Sequence, residues 1–147
     1  MNVDKMEAGR LLDAEIAERV MGWTRYPEKM DRTDNRTIND VLYCPPEMPY
    51  DKNALNVVPN YSTDIAAAWE VVEKLRADGW ALFIQSESSG WSVEIARDVP
   101  VGSGGVCVSG DELAPTFPLT LCRAACYVSA RVAALLAVPV SEGEIDG

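Results

Sequence analysis

Residues 62–96 read Ser62-Thr63-Asp64-Ile65-Ala66-Ala67-Ala68-Trp69-Glu70-Val71-Val72-Glu73-Lys74-Leu75-Arg76-Ala77-Asp78-Gly79, then Trp80-Ala81-Leu82-Phe83-Ile84-Gln85-Ser86-Glu87-Ser88-Ser89-Gly90, then Trp91-Ser92-Val93-Glu94-Ile95-Ala96. The first block opens on hydroxyl and carboxylate side chains that suit a helix start. It carries Ile65, Ala68, Trp69, Val72 and Leu75 on one face and stops at Gly79. Trp80–Gln85 and Trp91–Ala96 are apolar-rich runs, the second alternating strictly at Trp91, Val93 and Ile95. Glu87-Ser88-Ser89-Gly90 lies between them, so the pair reads as a β-hairpin. Trp69 and Trp80 fit core positions, and Trp91 suits core or surface.

Upstream, Met6, Leu11, Leu12, Ile16, Val20 and Met21 recur near helical spacing, which predicts an amphipathic helix over Lys5–Met21 closed by Gly22. Residues 23–61 show no sustained period and carry Pro27, Pro45, Pro46, Pro49 and Pro59. This reads as a long irregular loop, a kind of segment that is usually functional when it occurs inside a compact domain. Downstream, the glycine-rich turn Val101–Val106 lacks the Lys-Ser/Thr ending of a phosphate-binding loop. Val106–Val108 is a short third strand. Pro118 opens a last helix that runs through Leu119, Leu121, Cys122, Ala125, Val128, Val132 and Leu135 toward Pro139.

The fold class predicted is therefore α+β, a three-stranded antiparallel sheet packed with three helices in layers. The order is helix, long loop, helix, three strands, helix. A single domain over 1–138 is expected, followed by a mobile acidic tail at 139–147. At 147 residues, a chain folding as one domain buries roughly 68–70% of its unfolded surface, enough for one core.

Composition narrows the chemistry. A net charge of −10 without histidine opposes nucleic-acid binding, which depends on clustered Lys and Arg. The apolar stretch Ala124–Val138 is short of the roughly 20 residues of a membrane span and is interrupted by Arg131. The N-terminal acids Asp4, Glu7, Asp13 and Glu15 do not resemble a secretory leader, so a cytoplasmic location is expected. Cys44, Cys107, Cys122 and Cys126 are then expected as reduced thiols. Cys122 and Cys126, four apart, have a spacing that suits metal ligation. Their neighbours Leu121, Ala125 and Val128 favour buried small hydrophobes, so neither metal nor cofactor is expected. With no histidine, the usual partner of a nucleophilic Ser or Cys is missing, and Asp111/Glu112 or Glu70/Glu73 read as solvated acids. No catalytic residue is assigned and no enzyme is expected.

Three stretches, Met21-Gly22-Trp23, Tyr61-Ser62-Thr63-Asp64-Ile65-Ala66-Ala67-Ala68-Trp69 and Leu121-Cys122-Arg123-Ala124-Ala125, resemble the phage ABA-sandwich domain, a family of small bacteriophage and prophage proteins. The resemblance implies helices packed against a central sheet and expression inside a bacterial host cell. It brings no catalytic residues. The extended Met30–Asn56 loop and the reduced third strand set this chain apart.

One grouping suggests a ligand: Trp23, Arg25, Tyr26, Arg32 and Arg36 in the loop, Tyr61 at its far end, and Arg123 on the last helix. Aromatic faces beside guanidinium groups suit a nucleotide-sized anion, because rings stack on a base while Arg forks a phosphate. The competing reading is that Trp23 and Tyr26 pack the loop down while the arginines pair with Glu28, Asp31 and Asp34. The leading function is a non-enzymatic phage-encoded binding protein that sequesters a small anionic, nucleotide-like ligand, a signal of bacterial anti-phage immunity. The alternative is an acidic inhibitor or regulator of a host protein, presenting Glu7, Asp13, Glu15 and Glu18 on the first helix. A homo-oligomer is expected if the sheet or the last helix leaves an apolar face uncovered.

Overall fold

The computed structural model describes residues 6–26, 37–38, 41–46 and 57–137. The tail at 139–147, together with Arg32 and Arg36, lies outside the described residues. The main sheet is an antiparallel meander of β4 (Ala81–Glu87), β5 (Gly90–Val101) and β6 (Gly104–Ala114), with β5 in the centre. Preceding it are α1 (Arg10–Arg19), β1 (Thr24–Tyr26), β2 (Thr37–Ile38), β3 (Val41–Cys44) and α2 (Ile65–Ala77), and α3 (Phe117–Ala137) follows it. The helix–sheet order matches the α+β expectation.

Several of the local readings change. The 23–61 segment, read as irregular, contains a second small antiparallel sheet of order β1-β3-β2. Its strands run to only two to four residues, too few for alternation to register against the surrounding prolines. The third strand of the main sheet is eleven residues long rather than a short Val106–Val108. It pairs with β5 from Val101↔Gly104 to Trp91↔Ala114. Its glycines and acids conceal it, because a central partner strand supplies the hydrogen bonds that propensity does not. Trp69, assigned to the core, is 49% exposed and lies 6.4 Å from Phe117 at the rim.

Helix ends follow local chemistry. Asp64 caps α2 by accepting from Ala66 N–H at 3.2 Å. Gly22 and Gly79 take left-handed φ values of 82° and 95° just past α1 and α2. α1 is shorter than the 5–21 span predicted. Thr116 accepts from Leu119 N–H at the start of α3, with Pro118 in the first turn, where a missing N–H costs nothing.

α3 lies across β5 and β6, with α1 and α2 packed against it. Leu121, Cys122, Ala124, Ala125, Cys126 and Val128 are completely buried, facing Val93, Ile95 and Val108 from the sheet and Leu12, Ile16, Val71 and Leu75 from the other helices. Gly110 permits the close approach: a Cβ there would sit 2.5 Å from the Tyr127 ring and 3.1 Å from Val128. At 21 residues, α3 is long and apolar enough to cross a membrane by length and composition. That exceeds the apolar stretch read from the sequence. Its N-terminal half is the centre of this core, while Leu136 near its end is 64% exposed.

Candidate functional site

Of the sequence-predicted residues, Trp23 and Arg25 lie just past the end of α1, Tyr61 just before α2, and Arg123 on α3. Past Gly22 the chain turns so that Trp23 N–H reaches Ala17 O at 2.8 Å, and β1 leaves from there. On the facing side, Tyr61 sits in a tight turn closed by Tyr61 N–H to Pro59 O at 2.9 Å and Asp64 N–H to Asn60 O at 2.9 Å. The turn drives the Tyr61 ring inward, to 1% exposure. There the Trp23 side chain adjoins the phenol and favours its ionised form.

Burial, reinforced by the negative field of Glu70, pushes the Tyr61 phenol up to about 12, against the opposing effect of the Trp23 side chain. Its ring is committed to packing, so it offers no open face for stacking. Trp23 is half-buried beside it. Arg25, two residues along on β1, is exposed. Arg123 is half-buried, and its Nε donates to Met6 O at 2.8 Å, tying α3 to the segment before α1. The structure therefore joins Trp23 with Tyr61, leaves Arg25 open to solvent beside them, and engages Arg123 with the main chain. The Tyr26 side chain, like Arg32 and Arg36, falls outside the described residues.

A polar cluster that sequence reading missed lies beneath this group. Asp13, expected on an acidic surface, is 1% exposed. Its Oδ1 accepts from Ser62 N–H at 2.8 Å and from the Ser62 hydroxyl at 2.6 Å. Its Oδ2 takes Arg10 at 3.1 Å, and Arg10 also donates to Asn60 Oδ1 at 2.7 Å. The Ser62 hydroxyl in turn accepts from Gly9 N–H at 2.9 Å, which satisfies an orphan donor at the start of α1. Near that helix N-terminus the carboxylate also meets the positive end of the peptide dipoles. The signal was present: Asp13, Ile16, Ala17 and Val20 share one helical face. Of the acids assigned to a negative face, Glu7 and Glu18 are exposed and Glu15 pairs with Arg19.

The buried thiols of α3 adjoin the same core. Burial, with a smaller contribution from Cys126, raises Cys122 well above its ordinary value. Burial and the neighbouring Glu15 raise Cys126 to about 12, partly offset by Arg19. Both remain protonated at neutral pH, and a thiol without thiolate character is a poor nucleophile.

These groups predict an alkaline transition. Each is held neutral in the folded protein with a value above its unfolded one of 9.0 for the thiols and 10.0 for the phenol. The folded state therefore keeps its protons longer, so the stability is intact below pH 9 and is lost as pH climbs toward about 12. Urea midpoints are expected to fall steadily over that window, and Tyr61→Phe should remove part of the fall. A midpoint unchanged up to pH 11 would mean that these groups titrate as if in water.

The model of the phage ABA sandwich domain matches residues 14–126. The chain belongs to the phage ABA sandwich domain family. No curated protein matches it. The matched region of this ABA-sandwich protein runs from the middle of α1 to Cys126 in the buried first half of α3 and includes Trp23, Arg25, Tyr61 and Arg123. The rest of α3, from the half-buried Tyr127 to the exposed Leu136 and Ala137, extends beyond it.

Proposed function

We propose that this phage-family protein is a non-enzymatic binding protein that sequesters a small anionic ligand in the host cytoplasm, a nucleotide signal of bacterial anti-phage immunity. The observation that supports it best is the anchored entrance to the 23–61 segment. Trp23 adjoins the buried Tyr61, and Arg25 emerges from β1 exposed, with no ion pair to any described residue. A guanidinium on a strand already fixed to the core binds an anion with little ordering cost. Tyr61 then serves as the support of Trp23 rather than as a stacking surface, and Arg123 as the support of the N-terminal segment.

Native mass spectrometry of protein purified from bacteria, with and without a mixture of cyclic and ADP-ribose-type nucleotides, tests this reading. A discrete added mass of nucleotide size, released unmodified on denaturation, is expected. Arg25→Ala should lower occupancy about tenfold, the scale of one charge-assisted hydrogen bond. Protein that stays bare across the whole panel would overturn sequestration, and a host-protein target would become the leading alternative.

A further inference from the structure

The second half of α3 borders a groove that is separate from the Trp23–Tyr61 group. One part of it, about 340 Å³, is lined by Arg19 from α1, Asp78 and Trp80 from the α2–β4 junction, Arg97 from β5, and Val132 and Leu136 from α3. The adjoining part, about 350 Å³, shares Arg19 and continues along Ser129, Ala130 and Ala133. Two arginines from different elements thus line one groove in a chain of net charge −10.

Arg97 is fixed before any ligand arrives. Its guanidinium carbon lies 4.9 Å from the centroid of the Trp80 ring, and NH1 donates to Asp78 O at 2.6 Å. Trp80 is 8% exposed, so the platform under the guanidinium is part of the core. Neither contact neutralises Arg97: one partner is a ring face and the other a carbonyl. The nearby Asp78 carboxylate is held by Lys74 at 2.9 Å. Across the groove, Arg19 uses Nε on Glu15 at 2.5 Å, and its terminal nitrogens have no partner among the described residues. Among the described residues, Glu15 pairs with Arg19 and Lys74 with Asp78, and Arg97 has no carboxylate partner. The opposite wall is apolar, with Val132, Ala133 and the exposed Leu136.

We propose that this groove binds an oxyanion, a carboxylate or a phosphate monoester, carried on an apolar ring-sized body. The anion takes the remaining N–H donors of Arg97 and a terminal nitrogen of Arg19, in the fork geometry that guanidinium groups offer to such anions. The body lies along Val132 and Leu136. A preformed, ring-backed arginine gives affinity because little side-chain freedom remains to be lost. This site is independent of the proposed function, which rests on Arg25.

Isothermal titration and Trp fluorescence with three probes test the assignment: 1-naphthyl phosphate, inorganic phosphate and 1-naphthol. Naphthyl phosphate is expected to bind saturably and at least tenfold more tightly than either half alone. Arg97→Gln should weaken it about tenfold or more, the scale of a lost charge-assisted contact. Arg19→Gln, at a half-exposed position where folding is not at stake, should weaken it several-fold. Naphthoate in place of naphthyl phosphate separates the two sources: equal affinity indicates a carboxylate-tolerant site and a clear preference indicates a phosphate site, and either supports the groove. Lack of saturable binding would overturn the proposal. So would binding that Arg19→Gln leaves unchanged and Arg25→Ala abolishes, which would return the ligand to the Trp23 side. Failure of the nucleotide panel with retention of naphthyl phosphate would sink the proposed function and leave this site standing.

Discussion

Asp13→Ala is expected to lower the unfolding free energy by about 3 kcal/mol, because it removes the acceptor for two buried donors and one half-buried guanidinium at once. Ser62 N–H and the Ser62 hydroxyl would lose the oxygen they meet at 2.8 and 2.6 Å, and Arg10 would lose its carboxylate at 3.1 Å. Ser62 is 0% exposed, so water cannot readily replace that oxygen. The contacts that break join positions 49 residues apart and hold the start of α1 to the entry of α2. For a chain of this size such a loss moves Tm down by roughly 10 °C. Circular dichroism melts of wild type, Asp13→Ala and Asp13→Asn measure it. The asparagine variant retains one oxygen and should fall between the other two. A loss under about 1 kcal/mol for alanine would mean that solvent already satisfies these groups.

Gly90→Ala should be comparably damaging for a different reason. Gly90 begins β5 at φ 148°, and a Cβ there would stand 2.3 Å from Ala114 O and 3.1 Å from Pro115 Cα. Both are backbone atoms at the end of β6, and neither can rotate away as a side chain would. Relief requires β5 and β6 to part where Trp91 pairs with Ala114, three residues before α3 begins at Phe117. Strained backbone and overpacking together cost about 3 kcal/mol or more. The contact between Trp91 and Phe117, with centroids 5.7 Å apart, should loosen and weaken the near-ultraviolet dichroism. Gly102→Ala is the control. Gly102 also has a positive φ, 59°, but nothing lies within 4 Å of its Cβ position. Its cost should stay near the roughly 1–2 kcal/mol of a left-handed residue. Equal melts for the two alanine variants would show that the close approach at Gly90 carries no weight.

The gap between sequence and structure is clearest in paired elements. The α2 stripe, its stop at Gly79 and the hairpin after it were legible because each arises from local periodicity or from one residue's conformational freedom. β6 was legible only at Val106–Val108, since Gly110, Asp111 and Glu112 carry no strand preference of their own. Trp69 was misplaced because its stripe on α2 faces Phe117 at a rim, and periodicity gives direction without depth. In the candidate site, Trp23 and Tyr61 were recognised as neighbours of one segment, but the burial of Tyr61 follows from the turn at Pro59–Asp64. Arg97 attracted no notice, because its significance depends on Trp80 and Asp78 folding beneath it.

Taken alone, the sequence determined the α+β class, the helix–hairpin–helix order, the absence of histidine chemistry and the family, because periodicity, composition and short local stretches record these directly. Tertiary structure alone decided that Asp13 is a buried acceptor, that Tyr61 supports Trp23, that Cys122 and Cys126 stay protonated, and that Arg19 and Arg97 share a groove. The physical reason is common to all four. Burial and electrostatic environment belong to groups brought together across tens of residues of chain, and a one-dimensional pattern records the groups without recording their meeting.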